Sequence, residues 1–419
     1  MIMKTQIMNL FVLIIFMVLQ IINIHGSHFQ GGMITWKYKD NQVYITYKVS
    51  FNTHNCDKIS ILNRTLSNGE GSLECYGGCV DTLVSPLSYF CIEYSEDDDW
   101  TYGQRTLNVT FPSTSDNIYV FGYRGCCWAT LADGGNSWSL IATANLTIRK
   151  DNGRINSSPI AAMQPFVTVN KNCILSYALR IPVQDEDGDV VRCRWATNSL
   201  TDECGGVCSI FRNSVLDQPN CILYINEIPS TGRYAVALQI EDFGEQQDKI
   251  ALSSIPLQFI INVIDGTTMC DNKPRIETPV IEIPSNTMYH QTIIATSTGS
   301  QISDVYIVSP VGFIKSELLR YSSSNDSWYV NVTWTPTDED IGIHIFCYTA
   351  IGVDRQASDQ ECKTLKIVDA EGCVSNPCSN GASCTQQING YICKCDVGFT
   401  GIFCETDIGK LHQNVYNRQ

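Results

Sequence analysis

Along this chain apolar side chains recur at every second position far more often than at every third or fourth. Val43–Ser50, Ile118–Phe121, Tyr234–Ile240, Leu257–Val263, Asp304–Val308 and Ile343–Tyr348 read as short strands, some alternating apolar and polar, some wholly apolar. Clusters of Gly, Asn, Asp and Pro separate them, a rhythm that predicts sandwiches more than barrels. Downstream of residue 26 no stretch carries helical periodicity. The predicted fold class is all-β: three tandem β-sandwich domains followed by a small disulfide-rich module.

Turn-forming residues concentrate at Lys150–Pro159, Asp265–Pro274 and Asp369–Gly372. They mark modules at about 27–150, 158–266 and 271–370, then a short module at 373–404 and a polar tail at 405–419. Residues 1–26 carry Lys4, the apolar run Leu10–Leu19 with Ile21 and Ile22, and end beside Gly26 and Ser27, the layout of a secretory signal peptide. That apolar run is shorter than the ~20 residues a spanning helix needs. With a polar tail as well, the expectation is a secreted, extracellular protein without a transmembrane anchor.

Twenty cysteines downstream of a leader predict ten disulfides in an oxidising compartment. Zinc fails on spacing, since Cys75–Cys79 and Cys204–Cys208 lack matching second pairs and the histidines are scattered. Cys347 and Cys362 flank the turn-rich stretch Ala350–Gln360 between two strand-like runs, and a bond across it would close a hairpin. A net charge of −15 disfavours nucleic acid and welcomes calcium or a basic protein surface.

N-glycosylation sequons stand at Asn63, Asn108, Asn145, Asn156, Asn325 and Asn331. In Leu107–Phe111, Ala144–Ile148 and Val330–Trp334 the sequon residues alternate with apolar ones, so strands burying the apolar set turn Asn108, Asn145 and Asn331 outward. Glycans on such faces also guard exposed sheet surface against aggregation.

The candidate chemistry lies in Asp185-Glu-Asp-Gly-Asp189, between strand-like runs. Asp185, Asp187 and Asp189 fall at i, i+2 and i+4 of a loop, where three carboxylates can converge on a hard cation such as calcium. It is not an EF-hand, because glycine stands fourth and no acid stands twelfth. The competing reading is a solvated turn in which Asp and Gly serve backbone geometry. No nucleophile elbow, metalloprotease pair or acid–base pair is legible, and the expectation is that the protein is not an enzyme and needs no cofactor other than calcium.

Cys373, Cys378, Cys384, Cys393, Cys395 and Cys404, with the turns Asn376-Pro-Cys-Ser-Asn-Gly381 and Gly398-Phe-Thr-Gly-Ile-Phe-Cys404, resemble an epidermal-growth-factor (EGF)-like repeat. The resemblance implies the pairing Cys373–Cys384, Cys378–Cys393 and Cys395–Cys404. A module this small has too little core to stand alone, and such bonds contribute about 2–5 kcal/mol each. Calcium-binding repeats carry acids just before the first cysteine and Asn or Asp after the third. Here Gly372 displaces Asp369 and Glu371, and Gln386 takes the later place, so the repeat reads as calcium-independent. Ser375, Ser383 and Thr400 match O-glucose, O-fucose and O-GlcNAc acceptor patterns of Notch-type repeats.

Val183–Trp195 resembles the strand-turn-strand of cadherin-like and polycystic-kidney-type sandwiches, some of which bind calcium at that turn. Trp334–Ala350 is similar to a strand pair of the same immunoglobulin (Ig)-like and cadherin-like group. The opening His28-Phe-Gln-Gly-Gly-Met-Ile-Thr-Trp36 resembles that of a group of invertebrate extracellular proteins, with Gln30 in place of their basic residue. That resemblance implies architecture alone. The functional expectation is non-covalent binding of extracellular proteins or glycans, in cell adhesion or in an extracellular and even mineralised matrix. The alternatives are an EGF-like signalling ligand for a cell-surface receptor and a soluble pattern-binding defence protein.

Overall fold

The computed structural model describes residues 28–407 apart from 53–55, 80–83, 172–176, 209–213, 227–229, 246–247, 266–274, 277–280, 298–299, 322–325, 369–377, 388–389, 401–402 and 405. The leader expected from the sequence therefore lies outside the described residues, as does the tail apart from residues 406–407. The protein is nearly all β, as the alternation predicts, and among the described residues its α-helix content is one short helix, α1 (Lys58–Leu62). No described helix is long and apolar enough to cross a membrane.

The first module contributes β1 (Phe29–Lys39), β2 (Gln42–Phe51), β3 (Leu66–Gly77), β4 (Val84–Ser95), β5 (Trp100–Val109), β6 (Ile118–Cys126) and β7 (Ser137–Asn145). The second adds β8 (Ile160–Ala161), β9 (Phe166–Asn170), β10 (Tyr177–Arg180), β11 (Val183–Gln184), β12 (Val190–Trp195), β13 (Ser214–Asp217), β14 (Ile222–Ile225), β15 (Gly232–Phe243) and β16 (Ser253–Ile264).

These two modules share one sheet. Hydrogen bonding runs β1-β2-β5-β4-β3-β6-β7-β16-β15-β12, and β16 also pairs with β1, so the ladder returns to its start through a strand of the second module. The contact is short: Gly32 faces Gln258, Met33 faces Leu257, and Ser254 faces Thr143 of β7. Gly31 makes it possible, and Gly32 beside it is closed in from β2. A Cβ on Gly31 would lie 2.6 Å from the Gln258 carbonyl oxygen, and one on Gly32 would lie 2.8 Å from that of Lys48. Gly31 also has φ +148°, which side-chain-bearing residues rarely adopt.

Beside the glycines, Phe29 stacks on Trp138 at 4.6 Å between ring centres and meets Trp128 edge-on at 4.7 Å. Gln258 is buried and donates to the carbonyls of Ser139 (2.7 Å) and Glu203 (3.2 Å). One hydrophobic core consequently runs from Phe29 through Val263 and takes in Tyr306, Val308, Ile345, Cys347 and Ile351 of the third module. Gln30 is fully buried and its amide donates to Asn52 Oδ1 and to the Asp99 carbonyl, a role that needs no charge.

The third module is a two-sheet sandwich with its own core around Phe313, Trp334 and Phe346. One sheet holds β17 (Arg275–Ile276), β19 (Tyr289–Thr296), β21 (Ile314–Lys315), β22 (Leu319–Arg320) and β23 (Ser327–Trp334). The other holds β18 (Ile281–Pro284), β20 (Ile302–Val308), β24 (Gly342–Gly352) and β25 (Glu361–Val368). Cys347 and Cys362 face each other across β24 and β25 and are bonded.

This sandwich packs against the first module through buried polar contacts. Trp100 meets Tyr306 edge-on at 5.0 Å, and the Tyr306 hydroxyl lies 2.7 Å from Ser95 Oγ. Glu93 Oε2 accepts from Lys315 Nζ at 2.8 Å and from the Ile307 amide at 3.1 Å. Burial pushes the Glu93 carboxyl above the usual range, and the Lys315 ammonium opposes that shift.

Removing one partner of a buried ion pair strands the other and typically costs about 3–5 kcal/mol, whereas neutralising both is close to neutral. Lys315→Ala is therefore expected to lower the thermal unfolding midpoint clearly more than the double change Glu93→Gln with Lys315→Met, measured by circular dichroism.

Candidate functional site

The acidic turn joins β11 to β12, and its first carboxylate builds it. Asp185 Oδ1 accepts the backbone amides of Asp187 (2.8 Å) and Asp189 (3.1 Å), while Gly188 supplies the left-handed step at φ +84°. One oxygen of Asp185 thus serves backbone geometry, as a plain turn would require. The other does not: Asp185 is 7% exposed, and its buried Oδ2 has no hydrogen-bond partner. Burial, with Asp242, Asp189 and Asp187 nearby, pushes this carboxyl up to about 7.

Ligand oxygens of Asp185, Asp187 and Asp189 lie within 4.8 Å of one another, the convergence that the i, i+2, i+4 spacing predicts. Asp187 is exposed overall, yet partial desolvation raises its carboxyl as well, although its Oδ2 accepts the Ser157 amide at 2.7 Å. Arg149 balances Asp189: its Nη2 donates to Asp189 Oδ1 at 2.7 Å, its Nη1 to Asp189 Oδ2, and its Nε and Nη2 to Asp151. One guanidinium therefore faces several acids. An all-oxygen donor set with surplus negative charge and an orphaned buried oxygen suits a hard divalent cation.

Arg149, Asn156 and Asp242 belong to the same cluster, although the sequence marks Asn156 only as a sequon and does not mark the other two. Asp242 sits in β15 with its Oδ1 on the Ser253 amide and hydroxyl, and burial raises it to about 6. The signal for it is an acid two positions beyond the strand-like run Tyr234–Ile240; Arg149 and Asn156 come from the module boundary. There the linker is clasped to the first module, with the Trp36 amide donating to Ser158 Oγ at 2.8 Å and the Ser158 amide to the Trp36 carbonyl.

The turn also touches the other modules. Lys37 Nζ donates to Glu186 Oε1 at 2.6 Å and reaches the Ile341 carbonyl at 3.5 Å, while Thr364 Oγ1 donates to Gln184 Oε1 at 2.8 Å. The candidate site is therefore a three-module junction. The second described cluster of ligand type, Asp202 with Cys204 and Cys208, offers no thiolate, since the two sulfurs are bonded to each other.

The sequons divide by environment. Asn63 caps the end of α1 and is exposed, and Asn108 points outward from β5 while Leu107 and Val109 pack inward. Asn331 lies between the buried Val330, Val332 and Trp334, and its Oδ1 accepts from Thr292 Oγ1. At Asn145 the expected alternation stops: β7 ends there, and Ile148 is 65% exposed rather than buried. Asn156 corrects the sequence expectation outright. It is 2% exposed, and its Nδ2, the atom a glycan would occupy, donates to Asp242 Oδ2 at 2.6 Å and to the Ser157 carbonyl at 2.9 Å. Asn325 lies outside the described residues.

In the C-terminal module Cys378–Cys393 and Cys395–Cys404 are bonded, and Cys384 is in a disulfide, with Cys373 outside the described residues. Strands β26 (Ser383–Gln387) and β27 (Gly390–Lys394) form its hairpin; β28 (Phe399–Thr400) pairs with β29 (Thr406–Asp407). Ser383 is exposed on β26, Thr400 sits on β28, and Ser375 lies outside the described residues. Lys366 of β25 places its ammonium 3.6 Å from the centre of the Phe403 ring, joining this module to the third.

Residues 373–403 match the family model of the EGF-like domain. This segment is an EGF-like module. Residues 30–147 match the model described as integrin beta-like protein A-E, N-terminal. Among curated proteins, Fibropellin-3 of Strongylocentrotus purpuratus is 58% identical over 40 residues, covering 10% of this chain and 7% of that protein. The sushi, von Willebrand factor type A, EGF and pentraxin domain-containing protein 1 of Rattus norvegicus is 53% identical over 36 residues, 9% of this chain and 1% of that protein. The chain thus spans less than a tenth of the length of these relatives. Among solved structures, the tandem Ig repeats of Dlar align at a TM-score of 0.21 with 12% identity over 51% of this chain and 98% of that one. The SrpA adhesin from Streptococcus sanguinis aligns at 0.19 with 14% identity over 29% and 85%. Likenesses this slight do not bear on activity. An EGF-like module joined to a disulfide-bonded β scaffold does fit an extracellular protein of the adhesion type.

Glycopeptide mapping by mass spectrometry is expected to find glycan at the exposed Asn63 and Asn108 and none at Asn156, whose side-chain nitrogen is spent inside the junction.

Proposed function

We propose that the protein is a secreted, non-catalytic glycoprotein acting by extracellular binding in cell adhesion or matrix, with calcium at Asp185, Asp187 and Asp189 fixing the junction of its three β modules. The observation that carries the calcium reading is the buried, unpartnered Oδ2 of Asp185. A carboxylate there is costly to ionise without a cation and is relieved by one. Calcium takes six to eight oxygens, so solvent completes the shell that three aspartates begin. Because Arg149 already balances Asp189, affinity belongs at the weak, extracellular end, about 10⁻⁴–10⁻³ M.

Calorimetric titration of the whole chain with calcium is expected to give saturable heat in that range, together with a rise in unfolding temperature. Asp185→Asn is expected to remove both while leaving the calcium-free protein folded. The absence of heat in the parent up to about 10 mM ends the calcium reading.

Adhesion is tested with immobilised protein and suspended cells or matrix. Retention is expected to persist when residues 373–419 are deleted, because the binding body is the three-module unit and the EGF-like module is appended to it. Loss of retention on that deletion, accompanied by loss of receptor activation on target cells, supports the signalling-ligand alternative instead.

A further inference from the structure

A cleft of about 360 Å³ lies between the first and third modules, away from the acidic turn. That volume falls within the range of ligand-sized sites. Leu62, Ile92, Phe313 and Ile314 give it an apolar wall, and the ion pair of Glu93 with Lys315 lies at its floor. Its remaining charges are unbalanced. Five acids line it against two lysines, and both lysines are engaged, Lys315 with Glu93 and Asp304, Lys58 with Glu317. Glu96 and Asp97 are exposed at the rim, and neither carboxylate forms an ion pair among the described residues. The wall is partly open to solvent, with Leu62 50% and Ile314 44% exposed.

We infer that this cleft receives a lysine or arginine side chain of a partner polypeptide, flanked by aliphatic residues. Surplus carboxylates beside an apolar wall suit a cation on a hydrocarbon stem, since the stem covers the apolar surface while the head meets the acids. A second copy of this chain is a poor occupant because its net charge of −15 repels the acidic rim, and anionic lipid or phosphate is excluded on the same ground. The occupant goes beyond the adhesion reading and does not depend on calcium.

The test uses the full chain carrying Asn63→Gln, so that no glycan at the end of α1 shades the mouth, in a calcium-free, chelator-containing buffer. Fluorescence anisotropy is read with labelled Gly-Leu-Arg-Ile-Gly and, as a control, Gly-Leu-Glu-Ile-Gly. The basic peptide is expected to saturate in the submillimolar range, more weakly as salt rises, and the acidic peptide is expected not to bind. The paired change Glu96→Gln with Asp97→Asn, at exposed positions, is expected to weaken the basic peptide at least tenfold with an unchanged unfolding temperature. Leu62→Ser is expected to weaken it several-fold. No saturation by the basic peptide below about 5 mM, equal binding of both peptides, or undiminished binding by the paired variant overturns the proposal. Because calcium is absent throughout, these outcomes are independent of the fate of the cation site.

Discussion

The structure depends on one close backbone crossing, where Gly31, Gly32 and Met33 of β1 meet Leu257 and Gln258 of β16. Neither glycine position has room for a side chain, since the nearest carbonyls stand 2.6 and 2.8 Å from where a Cβ would be. The crossing lets a strand of the second module complete the hydrogen bonding of the first, and it leaves the aromatic group around Phe29 sealed on one side by the glycines. Without it β1 would present an open edge, which sheet proteins otherwise guard against. With it, two modules that sequence boundaries separate share one sheet and one core.

A unit built this way buries charge at its seams, and each seam carries a cation of its own. Lys315 answers Glu93 between the first and third modules, Arg149 answers Asp189 and Asp151 at the linker, and Lys37 answers Glu186 where all three meet. Asp185 breaks the pattern. It is nearly as buried as Glu93 and far more enclosed than Asp151 or Glu186, one of its oxygens shapes the turn, and the second oxygen has neither a cation nor a donor. Burial then favours the protonated form, which is why this carboxyl rises to about 7 while no protein group supplies the missing charge.

The sequence displays what is local and hides what is distant. Period-two patterning marks most strands because each side chain's face is set by its own place in the pleat. The same patterning fails at Ile148, where a strand ends one turn before its apolar alternation does. The aspartates at 185, 187 and 189 were legible because one loop brings them together. Asp242 was not, since it arrives from β15, and Asn156 read as a sugar acceptor because a sequon reports three residues and nothing of the linker folding back onto Trp36. The Gly-Gly step was visible as a motif without its reason. For Gly32 that reason is the Lys48 carbonyl on the neighbouring strand, but for Gly31 it is the Gln258 carbonyl more than two hundred positions away, which no local pattern contains.

The same distinction accounts for where the protein's acidity matters. Its negative charge is spread along the chain, and the packing of three modules engages Lys37, Arg149 and Lys315 as internal partners. What remains uncompensated is set by geometry rather than by composition: a buried oxygen at the junction, and a rim of carboxylates beside exposed aliphatic residues at the cleft. The first has the size and hardness of an inorganic ion's site. The second is wider, half apolar and open to solvent, and so demands a cation that carries its own hydrocarbon. One acidic composition thus yields two different specificities, because module packing decides whether a carboxylate is enclosed or left on an apolar ledge.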